Sequence, residues 1–346
     1  MIDLSSTWHS IGLLAPGVWI AALVVSSGLI AMLFPVFGRF ALAVPTERSS
    51  HNTSTPQWGG LAVVTATVGI TATALLFPPR LGAEAASQTS VVLLGATLLW
   101  ALGVVDDLRP LAPALKFIVQ AIAVLVVLAA LPDGLRVVPF APLWLERALL
   151  FVSVLWLVNL VNFMDGIDWM MVAEVVPVTA GVAIIGMLGA LPPEGLVLAL
   201  ALNGAMLGFA PFNRPVARLF LGDMGSLPIA LLLSWLLILV AGSGYLTAAV
   251  VLPLYFVADA TVTLARRLLL GERIWEAHRT HFYQRASDNG FTNMEIVARV
   301  AAVNLALVLL AVASVVAASL VADLAALAIG ASLVAWLLAT FSRRRA

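Results

Sequence analysis

Long apolar runs separated by short polar loops dominate the chain and predict a bundle of membrane-spanning helices. A helix needs about 20 mostly apolar residues to cross a bilayer core about 30 Å thick. Eleven runs approach that length, and they lie near 12–37, 59–78, 89–105, 114–131, 147–163, 170–190, 196–212, 225–241, 245–265, 295–318 and 321–341. The pattern therefore predicts an all-α, polytopic integral membrane protein with about eleven transmembrane helices.

The loops between these runs fall alternately on two sides of the bilayer, and the basic residues are divided unequally between the sides. Of the 18 Lys and Arg residues, 15 lie on or near the odd-numbered loops, and only Arg80, Arg136 and Arg147 lie on the even side. Because Lys and Arg accumulate in cytoplasmic loops, the odd side is predicted to be cytoplasmic. This orientation makes the N-terminus periplasmic and the C-terminus cytoplasmic.

The cytoplasmic loops are expected near 38–58, 106–113, 164–169, 213–224 and 266–294. The last of them is long enough for a functional loop with its own helix and too short for a separate domain. No linker and no repeat at a fixed period interrupts the pattern, so residues 1–346 are expected to form one membrane-embedded domain. The first basic residue is Arg39, which argues against a cleavable signal peptide.

Composition narrows the classes of function. Hydrophobic residues make up 62% of the 346 residues and charged residues 10%, whereas soluble domains are roughly 45–50% apolar and about 25% charged. The formal net charge is zero, so the basic surplus of a nucleic-acid-binding protein is missing. Cysteine is absent, which excludes disulfides, thiolate metal sites and cysteine nucleophiles.

A pair of adjacent carboxylates, Asp106 and Asp107, ends the third apolar run. Neighbouring side chains on a helix point in different directions, so one carboxylate can meet a metal or a proton while Arg109 or Lys116 holds the other. Ordinary solvation of a helix end is the alternative reading. The pair is a candidate catalytic element on the predicted cytoplasmic side.

A second cluster lies at the end of the fifth run, where a polar residue occurs at every third position: Asn159, Asn162, Asp165 and Asp168. On a helix this spacing makes a slanting polar stripe, and polar groups at membrane depth tend to mark function. Hydrogen bonding between neighbouring helices is the alternative role for the two asparagines. Gly166 is expected to let the backbone turn at the membrane surface.

Asp223 forms a third cluster with the glycines on either side of it, Gly222 and Gly225. Flanking glycines suit a close approach of the backbone to a phosphate or a metal. A helix that starts near Ser226 would aim its N–H groups at an anion. Because Gly-Asp turns are common, the motif is weak on its own.

A fourth cluster, Ala277 to Arg285, places His278 and His281 three residues apart among arginines. This spacing could bind a transition metal, but no Cys and no third ligand accompany it. Binding of a pyrophosphate through histidine and arginine is the better interpretation. A fifth polar segment, with Arg48 and His51, is by itself a turn-rich cytoplasmic loop.

Taken together, the predicted cytoplasmic face offers carboxylates together with Lys, Arg and His. Carboxylates suit Mg²⁺, which takes one or two of them and leaves coordination positions for substrate phosphates. The basic residues suit the phosphates themselves. The residues therefore indicate phosphoryl-type transfer at the membrane surface.

With these motifs identified, the chain resembles the polyprenyl-phosphate N-acetylhexosamine-1-phosphate transferases, which belong to glycosyltransferase family 4. The resemblance runs from about Pro45 to Gln284. Its form is closer to the enzymes that start O-antigen and enterobacterial common antigen synthesis than to the related phospho-N-acetylmuramoyl-pentapeptide transferase. Five ordered elements carry it: PTERSSHNTSTPQWGG, GVVDDLRPLAPALKFIVQ, NLVNFMDGID, FLGDMGS, and PLYFVADATVTLARR running into AHRTHFYQR.

The resemblance implies a bacterial inner-membrane enzyme with a cytoplasmic active site. It would transfer sugar 1-phosphate from a UDP-N-acetylhexosamine to undecaprenyl phosphate, with release of UMP, and thereby start synthesis of a cell-surface polysaccharide of the O-antigen type. The implied cofactor is Mg²⁺, with Mn²⁺ as a substitute, and a homodimer is consistent with the family. The sugar could be N-acetylglucosamine or a 6-deoxy relative such as N-acetylfucosamine or N-acetylquinovosamine.

The resemblance also implies roles for individual residues. Asp223 would be the leading Mg²⁺ ligand and Asn162 an oxygen ligand beside it. Asp106 and Asp107 would position the lipid phosphate, one of them acting as a base. Substrate-binding roles are implied for eight residues: Arg48, Lys116, Asn159, Asp165, Asp168, His278, Arg279 and His281. Lys116 and the cluster from His278 to His281 would face the phosphates. Asp165 and Asp168 would line the nucleotide side.

One position departs from the family pattern. The family usually reads NFMDGIDG, and Trp169 stands here in place of the last Gly. The tryptophan could alter the choice of sugar or nucleotide, or anchor the helix at the membrane interface.

Three other functions compete with this interpretation. A transporter would carry its polar residues near the bilayer midplane rather than on one face. A phosphotransferase of the CDP-alcohol type also uses clustered Asp and a divalent ion, but its DG–AR–G–D–D spacing is absent after Asp165. An inactive homologue with a role in assembly is disfavoured by the intact Asp106, Asp107 and Asp223.

Overall fold

The chain folds almost entirely into α-helices. The computed structural model describes residues 4–37, 42–43, 55–76, 83–272 and 278–345. Within these ranges there are thirteen helices: α1 (Leu4–Phe37), α2 (Gly59–Leu76), α3 (Ala83–Leu108), α4 (Pro113–Ala129), α5 (Leu143–Met164), α6 (Met170–Met187), α7 (Pro193–Phe209), α8 (Asp223–Gly242), α9 (Leu246–Val251), α10 (Leu254–Leu269), α11 (Phe282–Asp288), α12 (Asn293–Ala317) and α13 (Leu320–Phe341). The predicted all-α, polytopic architecture is confirmed.

The eleven apolar runs correspond to these helices, with one interruption. Eight helices, α1, α2, α3, α5, α6, α8, α12 and α13, are long and apolar enough to cross a membrane. The fourth and seventh runs form α4 and α7, which are apolar but only 17 residues long. The ninth run is broken into α9 and α10 at Leu252 and Pro253. Proline lacks the N–H that a continuous helix would use at this point.

Helix α8 forms the centre of the bundle, and the whole of its apolar stretch is buried inside the protein. It packs mainly against α3 and α5, with α2 and α9 also in contact. A helix that is apolar on every side belongs in an interior rather than at a surface, which explains this position. Since α8 begins at Asp223, the central helix carries one of the candidate carboxylates at its first residue.

Small residues allow α1 and α7 to pack closely together. A Cβ atom on Gly204 would lie 2.3 Å from the carbonyl oxygen of Trp19, and one on Gly208 would lie 2.6 Å from that of Leu23. This is the small-xxx-small pattern typical of helix pairs in membranes. The indole N–H of Trp19 also donates to Asn203 Oδ1 at 2.8 Å, which fixes the register of the two helices.

A buried polar contact joins α6 to α12. Asn304 Nδ2 donates to the carbonyl oxygen of Ala173 at 2.8 Å and to Glu174 Oε2 at 2.6 Å, and both polar side chains are almost fully buried. In a membrane, an apolar helix surface is buried equally well against lipid and against another helix. Hydrogen bonds of this kind therefore help to hold helices together. The contact fixes the C-terminal helices against the rest of the bundle.

The polar connections contain two small structured elements. Strands β1 (Leu42–Ala43) and β2 (Thr55–Pro56) pair antiparallel ahead of α2. The long polar segment near 266–294 contains its own short helix, α11, as the sequence predicted. The orientation of the termini across the membrane stays a prediction.

Candidate active site

Four helix ends meet at one place. Asp106 and Asp107 lie in the last turn of α3, Lys116 in the first turn of α4, Asn162 in the last turn of α5, and Asp223 at the start of α8. These elements are far apart in sequence, and each contributes a polar side chain where it leaves the apolar bundle. The structure thereby brings the first three sequence clusters together on one face.

A continuous chain of polar contacts links these side chains. Lys116 Nζ lies 2.8 Å from Asp106 Oδ2 and 3.2 Å from Asp223 Oδ2. Asn162 Nδ2 donates to Asp223 Oδ1 at 2.8 Å and to Ser226 Oγ at 2.9 Å. Asp106 Oδ1 also accepts from the N–H of Leu111 at 2.8 Å, so both its oxygens are engaged. The ammonium of Lys116 thus bridges two carboxylates from different helices.

Asp107 points away from this chain and caps α8. Its two oxygens accept from the backbone N–H groups of Asp223 and Met224, each at 3.1 Å. The first N–H groups of a helix have no partner within the helix and carry partial positive charge, which a carboxylate satisfies. The sequence predicted that a helix near Ser226 would aim its N–H groups at an anion. The helix starts three residues earlier, and the anion is Asp107.

Glycine is required where these segments cross. Gly222 has φ +75°, and a Cβ there would lie 2.6 Å from the carbonyl oxygen of Gln57 and 2.7 Å from Asp107 Oδ2. A Cβ on Gly103 of α3 would lie 2.3 Å from the backbone N of Met224. The close approach of α3 to the first turn of α8 is therefore possible only without side chains at these positions.

Asp165 lies just past the end of α5. Burial raises the pKa of its carboxyl to about 8, with further contributions from the negative charges of Asp223, Asp107 and Asp168. Its carboxylate makes no hydrogen bond or ion pair with any residue that the structure describes. With this pKa the carboxyl is mostly protonated at pH 7, and a cation bound nearby would favour its ionised form.

Two members of the polar stripe on α5 face elsewhere. Asn159 Nδ2 donates to the carbonyl oxygen of Leu155, one turn back along the same helix. Asp168 is buried, and its Oδ2 accepts from the N–H of Ala217 at 3.0 Å. The structure thus places Asp168 against the loop that leads into α8, beside the carboxylates rather than among them.

The turn after α5 differs from the expectation for Gly166. Among the described residues, the one with left-handed backbone in this turn is Trp169, at φ +62°, and Gly166 is needed for a different reason. A Cβ on Gly166 would lie 2.0 Å from Tyr283 Oη. Tyr283 donates from Oη to the carbonyl oxygen of Phe163 at 3.1 Å, so α11 packs directly against the end of α5.

The histidine cluster is organised by a residue that the sequence analysis missed. Asp259 of α10 is fully buried, and its carboxylate accepts from the N–H groups of Phe282 and Tyr283 at 2.9 and 3.1 Å. His281 Nδ1 lies 3.3 Å from the same carboxylate, and this histidine is almost fully buried. Asp259 therefore fixes the start of α11. Its position within the PLYFVADATVTLARR element was the only signal in the sequence.

His278 and Arg279 are more accessible. His278 stacks on His281, with ring centroids 4.8 Å apart, and burial lowers its pKa to about 4, so its ring is neutral at pH 7. Arg279 lines a cavity of about 310 Å³ together with Arg266, Arg267 and Arg285. Glu272 and Asp288 also line this cavity and pair with Arg267 and Arg279 at 2.7 and 3.5 Å. The four arginines still leave the lining positive, which suits phosphate oxygens. The predicted substrate residue Arg48 lies outside the described residues.

The donor set fits a Mg²⁺ ion. Asp106, Asp107, Asp165 and Asp223 come together with the single ammonium of Lys116, so acidic groups outnumber basic ones here. The amide of Asn162 uses its nitrogen for Asp223 and Ser226, which leaves its carbonyl oxygen for another ligand. No group of three or more His, Cys, Asp or Glu suited to hold a metal occurs in the described part of the chain. Mg²⁺ needs only one or two carboxylates beside substrate phosphates.

An apolar groove of about 410 Å³ lies along the same helices, mostly toward their opposite ends. It runs along α5 from Glu146 to Leu160, two residues short of Asn162, and is lined on α8 from Ser234 onward. Its other walls come from α9, α10 and the connection between α4 and α5, and the break between α9 and α10 contributes Pro253. One end of the groove, at Leu160, therefore approaches the polar site, and its apolar lining suits a hydrocarbon chain.

The fold and this site define a multi-pass membrane protein whose carboxylate-rich centre lies where several helices leave the apolar bundle. Residues 89–241 match glycosyl transferase family 4. The chain therefore contains a glycosyl transferase family 4 domain, and the family resemblance drawn from the sequence motifs is confirmed. The match covers Asp106, Asp107, Asn162 and Asp223.

Individual relatives agree with this assignment. The chain is 26% identical to a Bacillus subtilis protein named "probable undecaprenyl-phosphate N-acetylglucosaminyl 1-phosphate transferase", over 79% of this chain and 78% of that one. It is 29% identical to the decaprenyl-phosphate N-acetylglucosaminephosphotransferase of Mycobacterium tuberculosis, over 79% and 74% respectively. A phospho-N-acetylmuramoyl-pentapeptide-transferase of Limosilactobacillus reuteri is 27% identical, over 40% of this chain and 44% of that one.

Proposed function

We propose that this protein transfers N-acetylhexosamine 1-phosphate from a UDP-sugar to undecaprenyl phosphate and releases UMP. The observation that carries the proposal is the chain of contacts from Asp106 through Lys116 and Asp223 to Asn162. An apolar groove that reaches Leu160, two residues before Asn162, supports it. The named relatives act with polyprenyl phosphates and N-acetylglucosamine phosphate, so UDP-N-acetylglucosamine is the first donor to test. UDP-linked 6-deoxy relatives are the next.

The reaction needs binding and charge stabilisation more than a strong base. A phosphate monoester has a second pKa near 6, so the lipid phosphate is largely ionised at neutral pH. One of its oxygens attacks the sugar-bearing phosphorus of the donor and forms a new P–O bond. The P–O bond between the two donor phosphates breaks, and UMP leaves with that electron pair. Direct attack is favoured over a covalent aspartyl intermediate.

The residues of the site have separate tasks in this step. Lys116 has three N–H donors and uses two of them on Asp106 and Asp223, which leaves one for a phosphate oxygen. Asp223 and Asn162 would hold Mg²⁺ through a carboxylate and an amide oxygen. Bound Mg²⁺ neutralises charge that develops on the phosphate oxygens. Asp107 fixes Asp223 by capping α8.

The apolar groove supports the lipid acceptor. Its lining is mostly apolar, and on α5 it reaches Leu160, so a polyprenyl chain could lie along α5 with its phosphate end directed toward Asn162 and the polar site. Lipid tails are as apolar as the side chains that line the groove, so a polyprenyl chain gains little free energy when it moves from bulk lipid into the groove. The groove therefore orients the acceptor, and the phosphate contacts supply its affinity.

The uneven distribution of basic residues supports a cytoplasmic active site in a bacterial inner membrane, with the N-terminus periplasmic. UDP-sugars would then reach the site from the cytoplasm, and the arginine-lined cavity at Arg279 would face their phosphates. The product would be a lipid-linked sugar pyrophosphate, which suits the first step of an O-antigen-type polysaccharide. We expect the enzyme to work as a homodimer, as is consistent with the family resemblance.

The decisive experiment is transfer from a panel of radiolabelled UDP-sugars to undecaprenyl phosphate by the purified protein. Formation of a labelled lipid together with one UMP per sugar supports the proposal. Movement of a substrate across vesicles without UMP release would instead support a transporter. Transfer from a CDP-alcohol would support the other phosphotransferase class.

The residue assignment is tested with Asp223→Asn at saturating Mg²⁺. We expect loss of transfer with unchanged membrane insertion and folding, because the variant keeps the size of the side chain and loses the charge. Asp133→Asn, at an exposed position in the connection between α4 and α5, is the matched control and should leave transfer unchanged. Near-normal turnover in Asp223→Asn would contradict the metal assignment.

A further inference from the structure

Trp169 holds a backbone conformation that a tryptophan rarely adopts. Its φ is +62° and its ψ is 1°, and it immediately precedes α6. L-residues avoid this left-handed region because Cβ crowds the neighbouring carbonyl oxygen, whereas glycine enters it freely. Such strain persists only where surrounding contacts over-determine the conformation, and it clusters at functional sites.

Two hydrogen bonds hold Trp169 in this conformation. Its indole N–H donates to the carbonyl oxygen of Ala210 at 2.6 Å, and its backbone N–H donates to Asn213 Oδ1 at 2.8 Å. Ala210 caps the C-terminus of α7, where carbonyl groups lack partners within the helix. The preceding residue, Asp168, accepts from the N–H of Ala217. Three bonds therefore join the turn after α5 to the segment between α7 and α8.

The same segment is tied at its other end. Asn213 Nδ2 donates to the carbonyl oxygen of Leu219 at 3.0 Å. The N–H of Phe220 donates to the carbonyl oxygen of Pro56 at 2.8 Å, and the carbonyl oxygen of Phe220 accepts from Gly59. Leu221, Gly222 and Asp223 follow Phe220 directly. Residues 210–219 therefore join Trp169 to the backbone contacts that precede the first residue of α8.

The contacts of Trp169 decide whether it anchors a helix at the membrane interface or acts on the site. A tryptophan that anchors a helix at the membrane interface directs its N–H toward water or lipid headgroups. Here the N–H is used inside the protein, and the half-buried ring packs against the hydrophobic core. The side chain acts on the protein's own loop and not on the bilayer.

We infer that Trp169 is a positioning residue that sets the distance between Asp165 and Asp223. Asp165 begins the turn that ends at Trp169, and Asp223 follows the loop to which Trp169 is bonded. One side chain thus joins the two carboxylate-bearing segments without itself touching a substrate. This inference rests on the proposed function for its consequence in catalysis, whereas the loop contacts themselves are independent of it.

Three variants at and near this position separate the bond from the backbone strain. Trp169→Phe keeps an aromatic side chain and the strained backbone and removes the indole N–H donor. Trp169→Gly removes both the strain and the donor. Asn213→Asp keeps the acceptor for Trp169 and removes the donor to Leu219, which tests the same connection from the loop side. Trp19→Phe removes an equivalent indole bond, to Asn203, far from the site and serves as the control.

Hydrogen–deuterium exchange is the first readout, since it needs no activity. Loss of a bond in this connection should raise exchange of the amides of Ala217 and Leu219 by about tenfold in Trp169→Phe, Trp169→Gly and Asn213→Asp. Trp19→Phe should leave those amides unchanged. Wild-type exchange in all three site variants would overturn the inference.

The second readout is the Mg²⁺ concentration that gives half-maximal transfer. We expect it to rise several-fold in both Trp169 variants, with a smaller change in the KM for the UDP-sugar, because the spacing of the carboxylates changes. A Trp169→Gly enzyme with wild-type transfer and Mg²⁺ dependence would show that the tryptophan only occupies a turn. If the wild-type protein transfers no sugar phosphate, the proposed function fails, and the exchange experiment alone decides the positioning of the loop.

Discussion

The close approach of α3 to α8 makes Gly103 a sensitive test of how the site is assembled. A Cβ added at Gly103 would lie 2.3 Å from the backbone N of Met224 and 2.4 Å from the carbonyl carbon of Asp223. Ordinary van der Waals contact begins near 3.4 Å, so the two helices must separate by about 1.1 Å in a Gly103→Ala variant. The atoms that block the methyl group are backbone atoms, which no side-chain rotation can move aside.

The size of the effect follows from this separation. The bonds from Asp107 to the N–H groups of Asp223 and Met224 are 3.1 Å long and would exceed 3.5 Å, so the cap of α8 would be lost. A displacement of about 1 Å at a reacting group can reduce turnover about 100-fold. Overpacking of this kind costs about 1–3 kcal/mol of stability, which a folded membrane bundle can tolerate.

The assay is UMP release from UDP-sugar and undecaprenyl phosphate, with the thermal unfolding midpoint as a check on folding. Gly69→Ala is the matched control, because Gly69 lies in α2 and no atom lies within 4 Å of a Cβ built there. We expect turnover about 100-fold below wild type for Gly103→Ala and wild-type turnover for Gly69→Ala. Turnover within threefold of wild type in a folded Gly103→Ala protein would refute the reasoning.

Three further predictions follow from the contacts around the site. Gly166→Ala should reduce transfer strongly in the UMP assay because its methyl group would meet Tyr283 Oη at 2.0 Å, and Tyr283→Phe in the same chain should relieve part of that loss. Asp107→Asn should lower the unfolding midpoint, because the first amides of α8 lose a charged acceptor worth about 1–3 kcal/mol; an unchanged midpoint would contradict the capping role. The folded-state pKa of His278 is about 4, below its ordinary 6.5, so the unfolded chain binds a proton first as the pH falls. Acidification from pH 7 to pH 5 should therefore lower the midpoint more in wild type than in His278→Gln.

The periodic features of the chain could be predicted from the sequence. The eleven apolar runs reach or approach the length that a bilayer requires, and their described residues are helical apart from run ends and the break in the ninth run. Pro253 lies at that break, and a proline without an N–H weakens the hydrogen-bond ladder of a helix. Proline also occurs within other spans, such as Pro228 in α8, where the helix continues. The residue alone therefore does not identify the break.

The candidate site could be predicted in its composition and only partly in its geometry. Asp106, Lys116, Asn162 and Asp223 are grouped as the motifs suggested, because each lies where a helix leaves the apolar bundle. The role of Asp107 as the cap of α8 depends on how α3 and α8 cross, which no local pattern encodes. The same holds for Asp259, a lone carboxylate within α10 that also accepts from Tyr255 and Thr263 one turn away, but whose partners in α11 lie more than twenty residues away.

The position of α8 has a consequence for how the protein is made. Its apolar stretch has a mean hydropathy of 2.3, so it can enter the bilayer as soon as it leaves the ribosome. In the finished protein it is surrounded by α2, α3 and α5, which are synthesised before it, and by α9, which is synthesised after it. In a growing chain, the surface of α8 that contacts α9 therefore stays uncovered until α9 has been synthesised. A chain stopped after α8 would already contain Asp106, Lys116, Asn162 and Asp223. It would still lack α11, which packs against the end of α5. Completion of the site is therefore coupled to translation of the last third of the protein.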